Sequence, residues 1–348
     1  MPPCKPLVPP RSALHPCSNQ LAGDYASFLE SVLEGQAQGE DAVEQLLRIK
    51  VATVLGWEPR LKRFGSRVYG GQIPTSDLDV VCELPKDDTL HIDARIYRLL
   101  EGMLDILRQD AGCTMVRDAI QSKWTVQFRF ANMTVDFTAH CGPVEDGHPP
   151  SQLTARVASM ISCLPVAVKT LLRLVVDFSK RSHVCWNRNG AIGRQMKAIH
   201  WALLVIAWWS WRFKGRKGGT ADLSAGAMFV SVLEYYAEFQ FEEYIINAFS
   251  LRWPFVKHQC ETRSTNAFSI WVAALGYQTW PPSNMLHKTG SDDVVAIRRA
   301  LTDGLAQLRA DPFSFWSEAR WRLHSYVDRD YSPLVSQMSQ DESFDGWI

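Results

Sequence analysis

Residues 64–81 read FGSRVYGGQIPTSDLDVV, and the reading of this stretch decides the fold. Its second half sets Asp77 and Asp79 two residues apart, with Leu78 and Val80 alternating between and beyond them. In a β-strand residues i and i+2 share a face, so both carboxylates aim at one point while Leu78 and Val80 turn to a core. Two carboxylates aimed together repel unless a cation lies between them. Mg²⁺, or Mn²⁺ in its place, suits such a pair, because a hard ion is held by a few carboxylates together with phosphate oxygens. Upstream, Gly65 lets the backbone pass close to a phosphate. Ser66, at the start of a short helix, would offer a hydroxyl and amide donors to the terminal phosphates of a nucleotide.

A third carboxylate is expected from a hairpin further along. Trp124, Val126, Phe128 and Phe130 alternate with Thr125, Gln127 and Arg129. After a short turn near Ala131 and Asn132 the alternation resumes with Met133, Val135 and Phe137 against Thr134, Asp136 and Thr138. Asp136 then sits on the polar face and completes a two-metal site, with one ion activating an attacking hydroxyl and the other steadying a leaving group.

Around this α/β unit the periodicity is helical. Phe28, Leu29, Val32 and Leu33, then Val43, Leu46, Leu47, Val51, Val54 and Leu55, predict two N-terminal helices broken at Gly35 and Gly39. Ile92, Ile96, Leu99, Met103 and Leu107 predict an amphipathic helix that Gly112 ends with a positive φ. Beyond the Gly- and Pro-rich segment 141–150, helical spacing dominates, as in Val166, Leu171, Leu174 and Phe178. The expected fold class is α+β, a mixed sheet with helices at residues 56–145 packed on a mainly helical domain made from 20–55 and 146–330. Residues 1–19 read as a disordered Pro-rich tail and 331–348 as a polar one.

Composition narrows the classes. A chain of 348 residues with 46% hydrophobic and 21% charged residues is that of a folded two-domain protein rather than a disordered or fibrous one. Lys plus Arg and Asp plus Glu both number 37, so any nucleic-acid site must be a local patch. The eight cysteines are scattered without the close pairs of a zinc site and suit a reducing compartment. The most apolar run, Ala198 to Trp209, is too short for a membrane span and contains His200. The Pro-studded start has neither the apolar run of a signal peptide nor the character of a transit peptide. These features predict an intracellular protein, of nucleus or cytoplasm, without membrane attachment.

The quoted stretch resembles the noncanonical poly(A) polymerases and terminal uridylyltransferases, a family of the DNA polymerase β nucleotidyltransferase superfamily. Gly65, Ser66, Gly70, Pro74, Thr75, Ser76, Asp77 and Asp79 match its signature, a Gly-Ser pair followed by Pro-Thr-Ser-Asp-hydrophobic-Asp. The resemblance implies a polymerase β-type nucleotidyltransferase core, with Asp77, Asp79 and Asp136 as catalytic metal ligands. More weakly it extends over most of residues 20–310. It implies that Lys169 and Arg173, one helical turn apart, face the triphosphate, although two charges at that spacing also suit a solvated helix face. Where the family has a serine for phosphate and a tyrosine for the base, this chain has Arg194 and Gln195. Arg194 can replace the serine, but Gln195 cannot stack on a base. The loop at residues 281–290, PPSNMLHKTG, resembles a base-reading segment in which Asn284 and His287 would contact the nucleotide and a histidine favours uracil; an exposed loop is the plainer reading.

The activity implied is template-independent addition of UMP or AMP from an NTP to an RNA 3′ end, with an RNA-binding protein partner supplying affinity, since no separate RNA-binding module is evident. Two other readings stay open. One is a nucleotidyltransferase acting on a small molecule or making an oligonucleotide messenger. The other is a catalytically silent RNA-binding scaffold, for which the altered segment at Gln195 speaks. The run WWSWRFKGRKGG at 208–219 suits either a core helix with a basic loop or a single-stranded nucleic-acid groove.

Overall fold

Buried and half-buried residues alternate along the whole of Met133–Cys141, which makes this strand apolar on one face and polar on the other. It forms the middle of a five-stranded sheet in a computed structural model that describes residues 16–86, 92–120, 124–144, 148–185, 196–213, 224–247, 255–256, 269–272, 283–284 and 291–327. The strands are β1 (Arg60–Phe64), β2 (Leu78–Leu84), β3 (Thr114–Ala119), β4 (Thr125–Phe130) and β5 (Met133–Cys141), in the order β1-β2-β5-β4-β3. β2 and β5 run parallel, and the other neighbours are antiparallel. Ala131 and Asn132, with φ of 49° and 61°, form the two-residue turn between β4 and β5 expected of a type I′ hairpin. The edge strand β3 was not expected from the sequence. Met115 has a positive φ and the pairing slips between Thr114 and Arg117, so the bulge erases the alternation that would announce a strand.

Two helices cover the apolar face. The second half of α1 (Pro16–Leu55) supplies Val43, Leu47 and Val51, and α3 (Ile92–Gln109) supplies Leu99, Leu100, Met103, Leu104 and Leu107. They close over Leu78, Val80, Cys82, Val126, Phe128, Val135 and Phe137 in one core. α1 runs unbroken for 40 residues, where the sequence predicts two helices. A glycine in a helix costs about 1 kcal/mol, and here tertiary contacts outweigh the two at Gly35 and Gly39. Gly39 lies close against the hairpin: a Cβ there would lie 3.2 Å from Met133 Cε and 3.4 Å from the Ala131 carbonyl oxygen. Immediately after it, Glu40, Asp41 and Glu44 bind Arg63 of β1. The helix also starts at Pro16, within the stretch read as tail. Gly112 is not among the glycines with positive φ; the turn after α3 is closed instead by Asp110, whose Oδ1 accepts the Gly112 N–H at 2.9 Å.

The chain divides into two units. The sheet belongs to Ser31–Val68, Pro74–Ala155 and Arg320–Ile348, and the other unit comprises Met1–Glu30, Tyr69–Ile73 and Arg156–Ala319, each so far as it is described. That second unit holds α5 (Val166–Arg181), α6 (Ala198–Phe213), α7 (Ala225–Glu238), α8 (Ser291–Ala310) and the first half of α9 (Pro312–Val327). Trp201, Trp208 and Trp211 of α6 are buried, which makes it a core helix rather than a stacking platform. A buried trio ties the first helix to α5: the Tyr25 hydroxyl donates to Asp177 at 2.9 Å, and Arg181 Nε donates to the same oxygen at 2.7 Å. A small sheet of β6 (Tyr244–Asn247), β7 (Phe255–Val256), β8 (Ser269–Val272) and β9 (Ser283–Asn284) interrupts the helices. With two of its strands only two residues long, it leaves no periodic trace in the sequence.

Candidate active site

The sheet's second face carries the candidate carboxylates. Parallel pairing of β2 with β5 sets Asp79 directly opposite Asp136, with Leu78 opposite Val135 and Val80 opposite Phe137 to either side. The apolar neighbours are buried and both aspartates are half-buried, so two carboxylates share the polar face of adjacent strands. Asp77, also half-buried, immediately precedes β2 and lies two residues from Asp79. On the far side of β5, Gln127 of β4 is the register partner of Asp136, and its Nε2 donates to Asp136 Oδ1. Among the described residues no three His, Cys, Asp or Glu side chains are drawn together closely enough to hold a metal ion.

Gly65 ends β1 with a φ of 76°, and the space where its Cβ would stand is taken by the Asp79 carboxylate, with Cγ at 2.9 Å. Only glycine lets the Gly65–Ser66 turn and this aspartate come so near. The Gly65 N–H donates to Thr154 Oγ1 at 2.9 Å, and that hydroxyl in turn donates to the Pro150 carbonyl at 2.8 Å, so α4 (Pro149–Ser162) anchors the turn. Ser66 opens α2 (Ser66–Tyr69), as the sequence suggests.

The polar face continues past the aspartates. Glu83, opposite His140, accepts the Val144 N–H at 2.9 Å and pairs with Lys62 Nζ at 3.1 Å. His148 stands edge-on to Phe64 with ring centroids 5.1 Å apart, and its Nδ1 shares a 2.7 Å hydrogen bond with Ser151 Oγ. Burial, and then the neighbouring His140, push His148 down to about 4; burial also lowers His140.

Lys169 and Arg173 lie on α5 of the other unit. Lys169 Nζ donates to the Ser162 carbonyl at 3.3 Å, and Arg173 Nη1 meets Glu30 Oε1 at 3.0 Å. Asn284 ends β9, where it pairs with Trp271 of β8. Arg194, Gln195, His287 and the basic loop after Phe213 lie outside the described residues. The sequence reading missed three residues packed around the candidate carboxylates: Gln127, Thr154 and Arg67, whose Nε and Nη2 donate to the Ser76 carbonyl. A glutamine inside an apolar hairpin was a visible sign of the first, but the other two act through contacts that no local pattern encodes.

The mixed five-stranded sheet with its helices matches the polymerase β-type nucleotidyltransferase fold of solved structures. A structure of mtPAP in complex with GTP superposes with a TM-score of 0.63 at 12% identity, covering 92% of this chain and 77% of that one. The GLD-2/RNP-8 complex gives 0.60 at 14%, covering 86% and 97%. A structure of Cid1, described for its RNA terminal uridylyl transferase activity, gives 0.61 at 12%, covering 87% and 98%. No protein-family model and no curated protein matches the sequence.

Proposed function

We propose that the protein is a template-independent RNA nucleotidyltransferase that transfers UMP or AMP from an NTP to an RNA 3′ end. The 3′-hydroxyl oxygen forms a bond to the α-phosphorus, the bond from that phosphorus to the bridging oxygen breaks, pyrophosphate leaves and the hydroxyl proton is lost to solvent. The observation that carries this reading is the pairing of Asp79 with Asp136 across two parallel strands, beside a Gly-Ser turn. The donor set fits Mg²⁺ or Mn²⁺, being all carboxylate and only half-buried. Asp77, Asp79 and Asp136 would hold the ions, whose positive charge would offset the mutual repulsion of the three carboxylates. When bound, such a pair activates the attacking hydroxyl and neutralises the leaving pyrophosphate.

The chain's own residues do the positioning, which is most of what phosphoryl-type transfer asks of a protein. Gln127 holds one oxygen of Asp136 and so orients the other. Gly65 and Ser66 present backbone and hydroxyl to the phosphates. Lys169 and Arg173 exchange their present partners, the Ser162 carbonyl and Glu30, for the triphosphate. Arg194 adds a phosphate contact, while Asn284 and His287 contact the nucleotide, with His287 favouring uracil. Support for RNA as the acceptor comes from the fold shared with Cid1, whose structure is described for RNA terminal uridylyl transferase activity, and the two-protein GLD-2/RNP-8 complex supports a protein partner here.

The test is purified protein with a labelled RNA primer, Mg²⁺ or Mn²⁺ and each NTP separately. Extension of the primer, greatest with UTP, is expected. Product formed from NTPs without RNA would point to messenger synthesis, and no product under any condition to a silent scaffold.

A further inference from the structure

Arg67, the residue after Ser66, has its side chain only 2% exposed and belongs to no part of the motif. Four hydrogen bonds hold its guanidinium. Nη1 donates to Glu40 Oε1 at 2.6 Å, and Nη2 to Gln36 Oε1 at 3.2 Å. Nε and Nη2 both donate to the Ser76 carbonyl, at 3.2 and 2.8 Å. Gln36 also donates from Nε2 to the Pro74 carbonyl at 3.1 Å. Side chains one turn apart on α1 therefore hold the segment that leads into β2 at two points, Pro74 directly and Ser76 through Arg67.

The Ser76 carbonyl belongs to the peptide plane that ends in the Asp77 nitrogen. A two-pronged grip on that oxygen fixes the plane and with it the direction from which Asp77 departs. Because the grip comes from the residue after Ser66, it also sets the spacing between the Gly65–Ser66 turn and the first carboxylate. A buried guanidinium needs a counter-charge, and Glu40, shared with Arg63, supplies it. Charge balance alone would be met by the Glu40 pair. The planar fork onto Ser76 needs arginine, since a lysine offers a point charge without paired donors.

The geometry points to Arg67 as a positioning residue for Asp77, held on α1 by Glu40 and Gln36, whose role is to pre-set the carboxylates for the divalent cation. It rests on the nucleotidyltransferase reading, and it gives the unbroken course of α1 past Gly35 and Gly39 a purpose.

The experiment compares the full-length chain with its Arg67→Lys, Gln36→Leu and Asp77→Ala variants in thermal melts, Mn²⁺ binding by calorimetry and primer extension across a Mg²⁺ titration. Arg67→Lys should stay folded, bind Mn²⁺ about 10-fold more weakly, and need correspondingly more Mg²⁺ for half-maximal rate. Excess metal should restore much of its rate and none of that of Asp77→Ala. Gln36→Leu should shift both quantities the same way by less, and it carries the test if Arg67→Lys does not fold. An active wild-type protein whose folded variants at Arg67 and Gln36 keep the same Mn²⁺ affinity and Mg²⁺ requirement overturns the positioning role alone. A wild-type protein that neither binds Mn²⁺ nor extends RNA overturns the nucleotidyltransferase reading and the positioning role with it.

Discussion

The two faces of the five-stranded sheet are made by the same strands and differ in everything else. On one face Leu78, Val80, Val135 and Phe137 are wholly buried under α1 and α3. On the other, alternate residues of the same strands, Asp79 and Asp136, stand half-open beside Gln127 and the Gly65 turn. The difference teaches that period-two geometry can separate stability from chemistry at single-residue resolution: Asp136 and Phe137 are neighbours in the chain and should fail in unrelated ways.

That contrast can be broken by mutation. The largest effect is expected on the apolar face, where Phe137→Ala removes a ring with 0% exposure from the core. A loss of about 3–5 kcal/mol is expected in denaturant unfolding, with the fraction that remains folded keeping its specific activity. Next comes Asp79→Ala, for which nucleotide transfer should fall at least about 100-fold, roughly 2.7 kcal/mol in the barrier. Its melting temperature should hold or rise, because a repelling carboxylate is gone; a destabilised Asp79→Ala would move that residue to the structural side of the comparison.

A third pair of variants sharpens the boundary between strain and function. Gly65 and Gly56 both have a φ of 76°, but a Cβ at Gly56 meets nothing within 4 Å whereas one at Gly65 collides with Asp79. Alanine at Gly56 should cost about 1–2 kcal/mol in stability and alanine at Gly65 more, and only Gly65→Ala should also lose transfer activity. Equal activity in the two would mean that the turn's closeness to Asp79 is incidental.

The smallest effect concerns pH. His148 is held down at about 4 against an ordinary value of 6.5 by burial and by His140. Between those values the unfolded chain binds the proton that the folded chain refuses, so stability rises with pH across the window and is lost as pH falls through it. His148→Phe, which keeps a ring against Phe64, should flatten the melting temperature between pH 7 and pH 5. An unchanged slope would place the acid sensitivity elsewhere.

How much of this was legible follows from which interactions are local. The β4–β5 hairpin and the Asp-Leu-Asp strand could be read because alternation is written into consecutive residues, as the buried and half-buried pattern of Met133–Cys141 shows. The helix bearing Lys169 and Arg173 was equally legible, but the pairing of Arg173 with Glu30, 143 positions away, was not. The continuity of α1 defeated local propensity because Arg63 and Arg67, more than a turn of sequence away, repay its two glycines. A bulge at Met115 concealed β3, and two-residue strands concealed the second sheet. The candidate carboxylates were visible as residues, whereas the opposition of Asp79 to Asp136 is a product of register between strands distant in sequence.

The central claim, that this opposed pair serves nucleotide transfer to RNA, is tested most directly by single-turnover extension of a labelled RNA primer with Mg²⁺ and UTP or ATP. Wild-type protein is compared with Asp136→Asn, both checked for folding by thermal melting. The account predicts extended primer with the wild-type protein and a large loss of rate, with NTP binding little changed, in a variant that melts as the wild type does. Undiminished extension by Asp136→Asn, or loss of its folding cooperativity in place of its rate, would contradict it.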